Sequence, residues 1–170
     1  MELNPIDKVH ELIEIFGEYH PVIRRKWDNG YEWMEEETDI CVEIPNPSSK
    51  NNLVIECQDD GEFTVYFAAY HSHFRGDDRG YEDLSGMVLD ILSNLKCSAS
   101  LFYGKENQWL MSSLIDSREI NRSVWAIFDG VLKYEGFAAC LKRYGGSAEY
   151  VFWNSELNQT IGIDKETEDE

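Results

Sequence analysis

The segment LVIECQDDGEFTVYFAAY, residues 53–70, constrains this chain most. Two apolar runs flank Asp60-Gly61, and an Asp-Gly pair between alternating runs is a strong hairpin signal. The type I′ turn it favours pairs Asp59 with Glu62, Cys57 with Thr64 and Ile55 with Tyr66. One face then holds Leu53, Ile55, Cys57, Thr64, Tyr66 and Ala68. It carries no charge and is expected to meet helices. The other holds Val54, Glu56, Gln58, Phe63, Val65, Phe67 and Ala69 and is expected to be partly covered. A chain organised around such a hairpin builds an antiparallel sheet.

Other segments extend that sheet. DICVEI places Ile40, Val42 and Ile44 on one face and Asp39, Cys41 and Glu43 on the other. VIRRKW (22–27) reads as a short basic strand and NGYEWMEEET (29–38) as an exposed acidic-aromatic loop. SASLFYG and QWLMSSLI pair around GKEN, and AEYVFW pairs with QTIGI over NSEL.

Three helices are expected. The first is capped by Asn4, takes Pro5 at its first position and stops near Gly17, with Ile6, Val9, Leu12, Ile13 and Phe16 as its stripe. The second runs from about Tyr81 to Leu95 and buries Leu84, Met87, Val88, Ile91, Leu92 and Leu95. The third begins near Ser123 with Val124, Ile127, Phe128 and Val131 inward, breaks near Gly136 and ends at Gly145-Gly146. The expected fold is α+β: a mainly antiparallel sheet of about six to eight strands, with about three helices mostly on one face. Residues 1–163 are expected to form a single domain and 164–170 a frayed acidic tail.

Composition narrows the function. The chain has 170 residues, 33 acidic and 15 basic, for a net charge of −18. Residues 1–90 hold 21 of the acidic and 7 of the basic residues. Such a surface repels nucleic acid and anionic membrane and steers basic proteins toward itself. The N-terminal segment lacks the basic start and continuous apolar run of a secretory signal. No stretch approaches the roughly 18 apolar residues of a membrane helix. Cys41, Cys57, Cys97 and Cys140 lie far apart without a CxxC pair, so reduced thiols in a cytoplasmic protein are expected.

The chemistry-bearing candidates cluster in YFAAYHSHFRGDDRG, residues 66–80. If the strand continues to Phe74, His71 and His73 share a face and form half of a metal site. On that straight strand Glu56 lies roughly 20 Å away at about 3.3 Å per residue. Only Asp77 or Asp78, folding back, completes the set. His71, His73 and Asp77 are thus the metal alternative, in a metal-dependent enzyme. A small-ligand pocket beside Phe63, Val65 and Phe67 is a further alternative. No nucleophile elbow or phosphate loop occurs, so no enzyme activity and no cofactor are expected. Glu35, Glu36 and Glu37 and the aspartate pairs fall in loops, where carboxylates stay solvated. Trp27, Tyr31, Trp33 and Met34 among Asp28, Glu32 and Glu35–Glu37 have the composition of an anchor-and-rim interface for a basic partner. The expected partner-binding residues are Trp33, Glu35, Glu36, Glu37, Tyr70, His71, His73, Asp77 and Asp78.

The segments NNLVIECQDDGEFTVYFAAYHSHF and SASLFYG…QWLMSSLI resemble small bacterial proteins of the immunity group, which neutralise toxins of polymorphic and contact-dependent inhibition systems. The resemblance spans residues 35–155. It implies binding of a cationic nuclease toxin, with acidic and aromatic groups covering the toxin's substrate site, and carries over no individual residue.

Overall fold

The computed structural model describes residues 2–133 and 136–166, with the Val131 side chain outside the described set. The chain divides into two compact units, Met1–Leu92 and Ser93–Glu170. The architecture is α+β and antiparallel throughout. The described strands form two sheets, one of five strands and one of four.

The first unit is a five-stranded meander: β1 (Val22–Arg24), β2 (Ile40–Ile44), β3 (Leu53–Cys57), β4 (Glu62–Phe67) and β5 (Tyr70–Arg75), each beside the next. Asn4 Oδ1 accepts from Ile6 N at 2.9 Å and starts a 3-10 turn, Pro5–Lys8, that runs into α1 (Val9–Ile15). The second helix, α2 (Asp78–Leu92), starts three residues earlier than its apolar stripe indicates. Asp77 is the reason: its Oδ1 accepts from Gly80 N at 2.7 Å and caps the first turn. The helix ends at Leu92, so Leu95 is not part of its stripe and is 58% exposed.

The β3–β4 hairpin forms, but one residue out of the expected register. Cys57 pairs with Phe63, Ile55 with Val65 and Leu53 with Phe67. The connection is a three-residue turn, Asp59-Asp60-Gly61, in which Gly61 N donates to Gln58 O and Gln58 N to Glu62 O at 2.9 Å. Gly61 sits at φ 98°, a conformation glycine adopts without a Cβ penalty. A one-residue slip moves a whole strand's side chains to the other face. Leu53, Ile55, Cys57, Phe63, Val65 and Phe67 therefore share one face with Ile40, Val42 and Ile44, and all nine are buried. Val9, Leu12 and Phe16 on and after α1, and Leu84, Val88 and Ile91 on α2, are buried with them; α1 meets β2, and α2 meets β4 and β5. Each fully buried side chain of this size stabilises by roughly 1.5–3 kcal/mol, so nine of one parity leave no freedom in register.

The strand from Phe63 also does not run straight to Phe74. It ends at Phe67, turns at Ala68-Ala69 and returns as β5. Ala68 takes φ 53° to make that turn.

The second unit holds β6 (Lys96–Tyr103), β7 (Gln108–Asp116), β8 (Gly146–Val151) and β9 (Gln159–Ile163) in the order β7-β6-β8-β9. The helical segments α3 (Val124–Ile127), α4 (Asp129–Leu132) and α5 (Phe137–Tyr144) form where the sequence places them. Ser123 caps α3 by accepting from Ala126 N at 3.2 Å. Cys97, Ala99, Leu101, Ala148 and Tyr150 share one core with Val124, Phe128 and Leu141. Beyond β9, Glu166 N donates to Lys142 O at 2.8 Å and Glu166 Oε1 pairs with Lys142 Nζ at 2.9 Å. Residues 167–170 of the expected tail lie outside the described residues. No described helix is long and apolar enough to cross a membrane.

Candidate functional site

The register places polar side chains in transverse rows on the sheet face opposite the first unit's core. Arg24, Cys41, Glu56, Thr64 and His73 occupy one row across β1 to β5. Val22, Glu43, Val54, Tyr66 and His71 occupy the next. The reversal at Ala68 corrects the straight-strand estimate that set Glu56 about 20 Å from the histidines. Glu56 is two strands from His73 in the same row, roughly 10 Å at about 4.8 Å per strand.

The segment between β1 and β2 folds over this face. Met34 inserts its side chain, 2% exposed, against Cys41, with the sulfurs 3.7 Å apart. The expected exposed acidic-aromatic loop therefore has a buried anchor in Met34. Trp33 stays 47% exposed and Trp27 67%. Trp33 Nε1 donates to Gly30 O at 3.0 Å, which fixes the indole. Asp39, nearly fully buried, ends the loop: Oδ1 accepts from Asp59 N at 3.0 Å and Oδ2 from Glu36 N at 3.4 Å.

Two more carboxylates are buried under the loop, Glu43 and Glu56. Glu43 Oε2 accepts from Arg24 Nε at 2.5 Å and from Tyr31 Oη at 2.8 Å, and its Oε1 accepts from Asn52 Nδ2. Glu56 Oε2 accepts from Tyr66 Oη at 2.9 Å. Burial pushes the Glu56 carboxyl above its ordinary value, with Asp39 and Glu35 adding to the rise and the Tyr66 hydroxyl opposing it. Burial also pushes the Tyr31 and Tyr66 hydroxyls and the Cys41 thiol up. The thiol is thereby kept protonated and inert. Burial likewise pushes Cys57 and Cys97 up to about 12.

A continuous string of rings crosses the outer part of this face. Tyr31 and Trp33 lie 6.1 Å apart, Trp33 and Tyr66 5.2 Å, Tyr66 and His71 6.0 Å, and His71 and His73 5.4 Å. At its end His73 Nδ1 sits 2.6 Å from Glu62 Oε1 and 3.1 Å from Thr64 Oγ1. A carboxylate only accepts, so this contact places the proton on Nδ1.

The structure thus brings Trp33, His71 and His73 together, and Glu35, Glu36 and Glu37 stay exposed on the overlying loop. The other expected residues lie elsewhere. Tyr70 pairs with Phe67, on the core parity of β5. Asp77 is committed to the α2 cap and Asp78 is the first residue of that helix. Asp77 does line a cavity of about 320 Å³ with His73, Arg75, Arg79 and Asp83. Among the described residues no group of three His, Cys, Asp or Glu side chains is placed to hold a metal. Phe63, Val65 and Phe67, the expected flank of a small-ligand pocket, are fully buried in the core. The residues that the sequence did not single out are Arg24, Asp39, Glu43, Glu56 and Tyr66. Their signal was present: two carboxylates of one parity on DICVEI, facing a third on the next strand.

The face thus combines fixed rings, a buried Cys41 thiol and exposed carboxylates on the overlying loop. Comparisons with protein-family models, with curated proteins and with solved structures give no match.

Proposed function

We propose that the chain is a cytoplasmic binding protein that captures and neutralises a basic protein partner, in the manner of the immunity proteins it resembles, with a cationic nuclease toxin as the partner. The observation that carries this reading is the ring string from Tyr31 to His73, with Glu62 at its His73 end and Glu32, Glu35, Glu36 and Glu37 exposed on the loop that bears Tyr31 and Trp33. Aromatic anchors supply contact area at little entropic cost, and a charged rim steers the encounter. Most of the net charge of −18 falls in residues 1–90, the half of the chain that carries this face. A nuclease binds phosphates through lysines and arginines, so a carboxylate-rich face competes for the same groups. On this reading nucleic acid is repelled.

Capture from the native cell tests it. The tagged chain is expected to retain a basic protein at low salt and to release it as salt rises, because rim charges are screened beyond about 8 Å at physiological ionic strength. Reversing Glu35, Glu36 and Glu37 to lysine is expected to reduce that retention. Retention of no basic protein at low salt, or retention indifferent to the reversal, contradicts the reading.

A further inference from the structure

A cavity of about 570 Å³ opens beneath the β1–β2 loop, lined among others by Arg24, Asp28, Tyr31, Trp33, Glu43 and Asn52. Its floor is the sheet, with Glu43 and Val54 from β2 and β3. Its walls are the two rings of Tyr31 and Trp33, tilted by 34°. The chain already holds one guanidinium in this setting. Arg24 has its Nε on the buried Glu43 carboxylate and its Cζ 5.9 Å from the Tyr31 ring centre. One carboxylate edge and one ring face are the two contacts a guanidinium seeks.

A second carboxylate, Asp28, and a second ring, Trp33, line the same cavity. Arg24 pairs directly with Glu43 and also feels the charge of Asp28, so one cation serves two carboxylates; Asp28 itself makes no ion pair among the described residues, and its Oδ2 accepts from Arg25 N at 2.8 Å. The Trp33 indole is held by Gly30 O and is 47% exposed. With Arg24 set against Glu43 and Asp28, the lining keeps a net negative charge, beside a half-exposed indole held in place. Lys26 adds no second cation at Asp28: its Nζ donates to Glu35 O at 2.6 Å.

We infer that this cavity is the anchor site for an arginine side chain of the partner, its guanidinium lying on the Trp33 indole and its edge toward Asp28. The inference rests on the reading of this face as a surface for a basic protein. It adds a residue-type requirement which that reading does not contain. Lysine meets the requirement poorly, because a strongly hydrated ammonium has no planar face to lay on an indole.

The test uses acetylated hexa-arginine and hexalysine peptides of equal charge, titrated into the full chain at low salt. Binding is read from tryptophan fluorescence and from the indole N–H resonance of Trp33. The arginine peptide is expected to bind about fivefold more tightly than the lysine peptide, the upper size of a cation–π contact on a partly exposed ring. Trp33→Ala is expected to remove that preference. Asp28→Asn, whose fold is checked by circular dichroism, is expected to weaken the arginine peptide severalfold and to reduce the Trp33 shift. Equal affinity for the two peptides, or a preference that survives both substitutions, overturns the arginine site and leaves the basic-partner reading standing. Binding of neither peptide overturns both. Binding of a hexaglutamate control instead assigns the cavity to an acidic group on Arg24 and also overturns the inference.

Discussion

Replacing Glu43 by alanine is expected to destabilise the first unit by about 3–4 kcal/mol. The magnitude follows from three donors that lose one acceptor. Arg24 Nε, Tyr31 Oη and Asn52 Nδ2 all converge on a carboxylate that is 7% exposed. A hydrogen bond to a charged group contributes about 1.5–3 kcal/mol and a neutral one about 1. The Arg24 side chain is 37% exposed, so water replaces much of what it loses and its share falls to the lower end. Tyr31 and Asn52 are half-buried, and their orphaned donors cost about 1 kcal/mol each. Urea unfolding followed by far-ultraviolet circular dichroism measures the total. Two controls separate the contributions: Tyr31→Phe should cost about 1 kcal/mol, and Arg24→Gln less than Glu43→Ala because it leaves Tyr31 and Asn52 paired. Glu43→Ala within about 0.5 kcal/mol of the parent, the range of an ordinary surface change, would falsify the claim that this carboxylate holds the loop on the sheet.

Three further outcomes follow from the same geometry. Ala68→Gly should stabilise the chain by about 0.5–1 kcal/mol in the same urea assay, because the φ of 53° penalises a Cβ more than glycine's added unfolded entropy costs. Gly80→Ala should destabilise by about 3 kcal/mol, since an added Cβ would lie 2.1 Å from Arg75 O and no flexible side chain is there to yield. Glu56→Gln should gain stability relative to the parent as pH rises. The folded-state carboxyl titrates above its ordinary value of 4.5, so the folded parent binds more protons than the unfolded one and loses stability as pH climbs from about 4.5 through the raised value. The two proteins should converge below about pH 4, where Glu56 is protonated in both states; a constant difference across that window refutes the assignment.

The pattern of residues made the elements legible and left their exact pairing open. Asn4, Ser123 and Gly136 mark helix boundaries through local chemistry, and the structure uses them where the pattern indicates. Asp60-Gly61 marks a hairpin equally well for a two-residue or a three-residue turn. The choice between them falls to the core, where only the slipped register buries Phe63, Val65 and Phe67 beside Leu53, Ile55 and Cys57. Ala68-Ala69 carries no turn signal, because alanine has no preference for positive φ. The β4–β5 reversal is thus imposed by tertiary pairing, and with it the placement of His71 and His73. The site was half legible. Parity put Asp39, Cys41 and Glu43 on one face, but the cover over them depends on the loop folding back so that Met34 meets Cys41 and Trp33 meets Tyr66, two strands on. Such contacts leave no local trace. Sequence proximity groups Tyr70, Asp77 and Asp78 with the histidines; strand parity sets Tyr70 apart, and capping commits Asp77 to α2 although it still lines a cavity with His73.

Hydrogen exchange on the chain with and without its captured basic partner tests the central claim most directly. Slowed exchange across 25–38 and 62–75, with residues 93–166 unchanged, is the predicted footprint. Protection confined to 93–166, with the β1–β2 loop and β5 exchanging as in the free chain, would contradict the account.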